Sequence, residues 1–513
     1  MTLPILSRAL VTDASAARSD VRFPDATLLD LPERVVQFGT GALLRGLIEP
    51  LVDEANARGE FDGRIVMVGQ TGSGRDRAIN RQDGLFTLAT RGLMDGEKRS
   101  ERRVIASVSR ALSAADEWEA VLACARDPRM RLVFSNTTEA GIALHEGDRP
   151  DDAPPRSFPA KLTRFLWERA TTFGFDPSMG MVILPTELIT DNGRVLRELV
   201  LELAARWELG DGFKRWIADA VPFCNTLVDR IVPGTPADDE HAKEEAELGY
   251  RDELLTVSED YALLAIEAGR GVAERLPFGG DARVVVTDDI SPYRERKLRL
   301  LNGTHTAMVP VALLCGCETV RDAVEDEQVG RFIRGVMLDE IAPFVPAPHA
   351  ERFAREVLDR FGNPFIHHAV ADIALQQSMK LRVRVVPSIL AYSAETGEAP
   401  ASLAFAFAAY LRFARGDLQR EREAAGRALP RDDQGGRVRA LWDELGDDAI
   451  AVARRACADA ELWGADLSAV PGFVHRVAGG LTRILSIGTP AALAQHLARA
   501  AAPDPRPAAG VAR

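Results

Sequence analysis

Cysteine is scarce. Five thiols, Cys124, Cys224, Cys315, Cys317 and Cys457, are scattered over 513 residues, which excludes a disulfide framework. The Cys315-Gly316-Cys317 pair has neither CxxC spacing nor a second pair, so no metal site is expected. Long apolar runs are missing too. The longest, 403–411, stops at Arg412, far short of the roughly 20 residues of a membrane span, so no membrane partner is expected. The first twenty residues carry Asp13 and Asp20 and no continuous apolar segment. No secretory signal is therefore expected, and the expected location is cytoplasmic. Basic charge is in deficit: 63 Lys and Arg face 76 Asp and Glu, a net charge of −13. A duplex binder needs a basic face against phosphates, so nucleic acid is not an expected partner. An anionic small molecule remains open, because a few local cations hold one.

What is present is a chain able to fold, with 46% hydrophobic and 27% charged residues. Its first half alternates short apolar runs at 34–38, 64–68, 132–135, 181–184 and 284–287 with helical stretches such as 43–58 and 160–173. Strands separated by helices predict βαβ units and a buried parallel sheet. Beyond about residue 290 the apolar spacing turns helical through 318–344, 349–361, 400–416, 436–445 and 447–462. The expected fold is an α/β Rossmann-like domain, 1–288, followed by a mostly α-helical domain, 289–513. Residues 146–156, dense in Asp and Pro, and the tail 501–513 read as loose.

The segment Val35-Val36-Gln37-Phe38-Gly39-Thr40-Gly41-Ala42-Leu43-Leu44-Arg45-Gly46 runs from an apolar strand through Gly-x-Gly into a helix. Such a turn lets backbone approach a pyrophosphate at a helix N-terminus. Leu44 replaces the third glycine of the usual fingerprint, so helix–strand packing must differ. Pro50 is tolerable only near the first turns of that helix, or it kinks it. At the second strand end, Gln70 stands where an acidic residue usually holds the adenosine ribose. Arg75 and Arg77 follow, so these residues alone leave NAD and NADP open.

The segment 291–306 contains Lys297, Asn302 and His305. At about 100° per residue these fall at roughly 0°, 140° and 80°, one broad helical arc. Hydride transfer at a carbinol carbon also moves a proton on its oxygen. A lysine desolvated by burial can take that proton, and an amide and an imidazole can hold the oxygen. The same residues also fit a surface lysine, a turn asparagine and a core histidine.

Lys297-x4-Asn302-x2-His305 resembles the signature of the mannitol dehydrogenase family, the polyol-specific long-chain dehydrogenases. Gln82–Phe86, Phe134–Ile142, Pro159–Arg164, Phe223–Val232 and Pro292–Lys297 are similar to a branch of that family acting on hexuronates. The resemblance spans about residues 34–474. It implies a two-domain fold, no metal, and NAD as cofactor, held by Val36–Leu43, with Glu139 beside the nicotinamide. It implies Lys297 as general base, with Asn302 and His305 orienting the substrate oxygen. The implied reaction is the reduction of D-tagaturonate to D-altronate in hexuronate catabolism. D-fructuronate, a polyol, or coenzyme binding without turnover are the alternatives.

The sequence departs from the polyol enzymes of the family at their pocket. Their glutamate three residues before the lysine is Arg294 here, with Glu295 next. Their Cys-Asp-Asn is Thr186-Glu187-Leu188, and their pocket arginine is Asp372, although their lysine matches Lys380. A uronate needs a cation for its carboxylate. Lys380, Arg382 and Arg384, whose alternation suits one strand face, and Arg294 are the candidates, with His368 for a sugar hydroxyl. The expected partner is a small sugar acid, and the expected state a monomer or homodimer.

Overall fold

The computed structural model describes residues 3–13, 20–70, 74–94, 96–137 and 141–500. They form two compact units. The first runs to Ile290, except for 93–96, which belongs with the second, from Ser291 onward.

The strands of the first unit are β1 (Glu33–Phe38), β2 (Arg64–Gly69), β3 (Phe86–Met94), β4 (Glu97–Ile105), β5 (Val108–Ser113), β6 (Leu132–Ser135), β7 (Val182–Pro185), β8 (Thr226–Asp229), β9 (Thr256–Ser258), β10 (Leu263–Glu267) and β11 (Val284–Thr287). Five of them form a parallel sheet in the order β5-β2-β1-β6-β7, with Val36 opposite Val66 on one side and Val133 on the other. Two smaller sheets, β11-β10-β8 and β4-β3-β9, complete the unit.

Alternation along each strand feeds two cores. Val36, Phe38, Val66, Val68 and Val133 pack on one face, and Val35, Ile65, Met67, Leu132 and Phe134 on the other. Both faces are covered, which is why these strands read as continuous apolar runs. The expected parallel α/β half is present. The hairpin β3–β4 was not expected, because β4 carries Glu97, Lys98, Arg99, Glu101, Arg102 and Arg103 and lacks an apolar period.

The second unit is built from helices. Its central helix, Ala401–Ala414, is buried from Leu403 through Leu411 and packs against Phe473–Ile487. A helix apolar all round belongs inside a core, which explains the long apolar run. Pro400 offers no capping side chain there. The buried Glu340 carboxylate instead accepts from the amides of Ser402 (2.6 Å) and Leu403 (2.7 Å). Among the described residues no helix is long and apolar enough to cross a membrane.

Two expectations fail for local reasons. Residues 146–156 are not loose: the buried Asp148 carboxylate accepts from the amides of Arg156 (2.6 Å) and Ser157 (3.2 Å) and from the Ser157 hydroxyl. The expected helix over 43–58 is two helices, Ala42–Gly46 and Ile48–Ala57, broken at Leu47. Pro50 lies in the first turn of the second, and the Gly46 carbonyl it cannot serve accepts from Arg230 Nη1 at 2.5 Å. The tail 501–513 lies outside the described residues.

Candidate active site

In the first unit, chain progression reverses between β1 and β6, the topological switch point at which open α/β sheets bind ligands. The glycine turn leaves β1 there. Gly39 adopts φ +123°, and a Cβ on it would stand 2.8 Å from the Asn136 carbonyl oxygen, so only glycine fits. Gly41 faces open space. The close helix approach usually made by a third glycine falls to Gly46, whose Cβ would meet Val232 at 2.6 Å, while Leu44 fills the core.

Buried side chains hold the carbonyls of this turn from beneath. Gln37 Nε2 donates to Gly39 O (3.1 Å) and to Glu49 Oε1 (2.9 Å), and Arg45 Nη1 donates to Thr40 O (2.5 Å). Burial pushes Glu49 up to about 7 and holds Arg45 below its usual range. The first helix is only five residues long, and Arg45 beneath the turn and Arg75, whose Nη1 is 3.4 Å from Thr40 O, bring positive charge to it. Val36 and Phe38 are core residues, Thr40 is buried, and Ala42 and Leu43 are half-buried at the start of the helix. A cradle that a Cβ would fill, with arginines about it, fits a pyrophosphate coenzyme. At the end of β2, Gln70 Nε2 is buried with no protein partner among the described residues.

Across the switch point, Glu187 at the end of β7 organises the end of β6. Its carboxylate accepts from Ser135 Oγ (3.1 Å), Thr137 N (3.0 Å) and Thr137 Oγ1 (3.0 Å), and burial raises its pKa. The residues it holds lead into 138–140. Glu139 itself lies outside the described residues.

In the second unit, Lys297, Asn302 and His305 lie on one continuous helical path with a change of pitch. Ser291–Arg296 is α-helical, Lys297–Gly303 is a π-helix, and Thr304–Leu314 is α-helical again. The uniform 100° spacing therefore fails here. Bonds from i to i+5 widen the turn and bring Lys297 and Asn302, five apart, closer around the helix than an α-helix would. Lys297 and Asn302 are half-buried, and His305 is 8% exposed.

The His305 ring stacks on Phe361 (4.0 Å between centroids, 11°) and meets the edge of His368 at 5.2 Å. Its Nε2 is buried with no partner among the described residues. Burial, then the charges of His368, Arg360, Arg384 and Lys380, hold its pKa well below the ordinary value. It is thus a neutral imidazole among cations.

Lys380 ends the short helix Gln377–Lys380 and leads into a second π-helix, Leu381–Val385, packed against the first. Its Nζ donates to Ile373 O (2.9 Å), and burial and Arg384 lower its pKa. The strand reading of 380, 382 and 384 is corrected. On a helical path Lys380 and Arg384 lie four apart and both act on His305, whereas Arg382 is exposed and donates to Glu461 O (3.2 Å). Burial also lowers His368. Arg294 sits half-buried one turn before Lys297, while Glu295 bonds Arg299 (3.0 Å).

Sequence reasoning missed Arg360 and the stacking role of Phe361. Their helix, Ala350–Phe361, was legible, but its nearness to His305 was not. Glu187 carried a signal in its place just after an apolar strand.

The glycine turn at the switch point and the matches to known proteins together define a nicotinamide-dependent oxidoreductase acting on CH–OH groups. The chain belongs to the mannitol dehydrogenase family. Residues 33–279 match the mannitol dehydrogenase Rossmann domain, and residues 289–485 the mannitol dehydrogenase C-terminal domain. It is 41% identical over 468 residues to an altronate oxidoreductase of Bacillus subtilis (strain 168), covering 91% of this chain and 95% of that protein. It is 42% identical over 475 residues to an altronate oxidoreductase of Yersinia pestis bv. Antiqua (strain Nepal516), covering 91% and 97%. Among solved structures, its fold is shared with Pseudomonas fluorescens mannitol 2-dehydrogenase in ternary complex with NAD and D-mannitol (TM-score 0.66, 24% identity, 97% and 100% covered). A substrate-free D-sorbitol dehydrogenase gives a TM-score of 0.76 at 22% identity, with 95% and 100% covered.

Proposed function

We propose that this chain catalyses the reversible, NAD-dependent reduction of D-tagaturonate to D-altronate, a step of hexuronate catabolism. The relatives named altronate oxidoreductase support the substrate pair. The observation that carries the reading is the set of cations about His305, namely Lys380, Arg384 and Arg360. Lys380 has a counterpart in the polyol enzymes, so Arg384 and Arg360 are the cations that speak for a uronate carboxylate.

When bound, the nicotinamide coenzyme gives a hydride to the ketone carbon or takes one from the carbinol. Val36–Leu43 form its pyrophosphate turn, and Gln70 Nε2 is a donor for a ribose hydroxyl. Lys297 Nζ delivers the proton to the substrate oxygen in reduction and removes it in oxidation. Asn302 and the neutral His305 hold that oxygen as charge develops on it. Lys380 and Arg384 take the carboxylate, with Arg294, one turn before Lys297, as a further cation, and His368 beside His305 for a hydroxyl.

The test is NADH oxidation, followed by absorbance, with D-tagaturonate, D-fructuronate and D-fructose in parallel, repeated with NADPH. Fast turnover of D-tagaturonate with NADH is expected. Preference for D-fructose would overturn the uronate reading, and silence on all three would turn the chain into a coenzyme-binding sensor.

A further inference from the structure

At the opposite end of the parallel sheet from the glycine turn lies a cavity of about 520 Å³ within the first unit. Arg34 is the second residue of β1, and Arg131 immediately precedes β6. Both line the cavity, together with Arg169 and Arg275. Five residues of β1 place it about 16 Å from Gly39.

Four guanidinium groups in one cavity call for negative charge, and the protein supplies little. The two lining carboxylates are engaged elsewhere: Glu60 bonds Arg58 (2.8 Å) and Glu274 bonds Arg270 (3.3 Å). Among the described residues, neither Arg34 nor Arg131 forms an ion pair, and Arg34 Nε is buried with no partner at all. Arg275 Nη2 donates only to a carbonyl, that of Gly180 (2.6 Å). Arg169 is fully buried, and its three nitrogens serve the carbonyls of Met179, Ala125, Asp127 and Met130 at 2.5–3.0 Å. It is therefore a structural wall of the cavity that still carries its charge. Burial, and then the repulsion of Arg131, hold both Arg169 and Arg275 below the usual arginine range. Arg131 and Arg275 are exposed and Arg34 is half-buried, so like charges face one another across an open cavity, and an anion between these three offsets their repulsion.

We propose that this cavity is a binding site for a small multivalent oxyanion, separate from the coenzyme turn, held by Arg34, Arg131 and Arg275 against the fixed charge of Arg169. Bidentate guanidinium geometry suits either a phosphate group or a polycarboxylate. The bound anion bridges β1 and β6, the two strands whose far ends carry Gly39 and Asn136. The site stands whether or not the proposed substrate is correct.

The test is calorimetric titration of the full chain, saturated with NADH, with inorganic phosphate and in parallel with citrate, at constant ionic strength set by chloride. Saturation at one site by either anion is expected. Tighter phosphate binding assigns the site to phosphate esters, and tighter citrate binding assigns it to polycarboxylates. Arg131→Ala, an exposed position, and Arg275→Ala are each expected to weaken binding roughly tenfold or more, the scale of a lost hydrogen bond to a charged group. Arg131→Gln, with an unchanged melting temperature in chloride, guards against misfolding. Absence of saturable binding by both anions, or equal affinity in the Arg131 variants, would overturn the proposal.

Discussion

Gln377 Nε2 donates to the carbonyl of Thr306 at 2.7 Å, deep inside the helical unit. That carbonyl is the one left without its amide by Pro310, four residues further along the same helix. Proline at 310 and glutamine at 377 are therefore one device, distant in sequence and joined by a single orphan acceptor. Gln377→Leu is expected to destabilise the chain by about 1–3 kcal/mol, the cost of a buried acceptor left unmade. Pro310→Ala in that background restores the amide and should recover most of the loss. Denaturant unfolding of the two single variants and the double variant reads the coupling, and strict additivity would sink the pairing.

Gly39→Ala tests the coenzyme turn. A methyl group there meets the Asn136 carbonyl at 2.8 Å on a backbone of φ +123°. Affinity for NADH, read by fluorescence titration, is expected to fall at least tenfold. Gly41→Ala, whose Cβ meets nothing of the protein, should fold unchanged, so any loss of affinity there reports the coenzyme itself. Wild-type affinity in Gly39→Ala would remove the turn from the site.

Lys297→Ala is expected to lower kcat by ~10²–10⁴-fold, the usual loss of a general acid–base group, with NADH affinity unchanged. Stopped-flow measurement of a single turnover separates the chemical step from coenzyme release. A kcat close to wild type excludes Lys297 as the proton carrier.

Lys380→Met should raise KM for the keto-acid roughly tenfold or more, with a much smaller effect on kcat. The pH dependence carries a sign. Burial and Arg384 lower the Lys380 pKa, so its charge is present at low pH and is lost on the alkaline side earlier than for an ordinary lysine. KM of the wild type is therefore expected to climb toward alkaline pH, and KM of Lys380→Met to climb less. Parallel profiles would separate Lys380 from the carboxylate.

Glu49 makes stability depend on pH. Burial raises its carboxyl from the ordinary 4.5 to about 7, so the folded chain keeps a proton that the unfolded chain releases. Stability is then greatest below about 4.5 from this group and declines as pH rises to about 7. The difference amounts to ~3 kcal/mol at about 1.4 kcal/mol per unit. Glu340, also raised to about 7, acts in the same direction. Glu49→Gln can still accept from Gln37 and should flatten the decline between pH 5 and 8 in urea unfolding. An unchanged slope in the variant would assign the decline to other groups.

Much of the fold was legible because it depends on short-range pattern. Fully buried strands announce themselves as apolar runs, and the expected run 64–68 became Arg64–Gly69 within one residue. The hairpin of β3 and β4 was illegible, since charged residues such as Arg91, Arg102 and Glu244 support it through ion pairs distant in sequence. At the candidate site, Lys297, Asn302 and His305 could be named from their spacing and chemistry. Their true alignment could not, because a π-turn is set by packing rather than by helical period.

What the sequence determined by itself was the alternation of buried strands and helices in the first half, the helical character of the second, the Gly39-Thr40-Gly41 turn, and which residue types could handle a proton and an anion. These follow from steric limits on single residues and from the 2.0 and 3.6 residue periods. Tertiary structure alone decided the rest. It placed Arg230 and Gln377 on the carbonyls that Pro50 and Pro310 orphan, Phe361 beneath His305, and Arg384 but not Arg382 within reach of that imidazole. The physical reason is that buried hydrogen bonds, ring stacking and charge interactions act over ångströms of space, and the number of residues between the partners does not enter them.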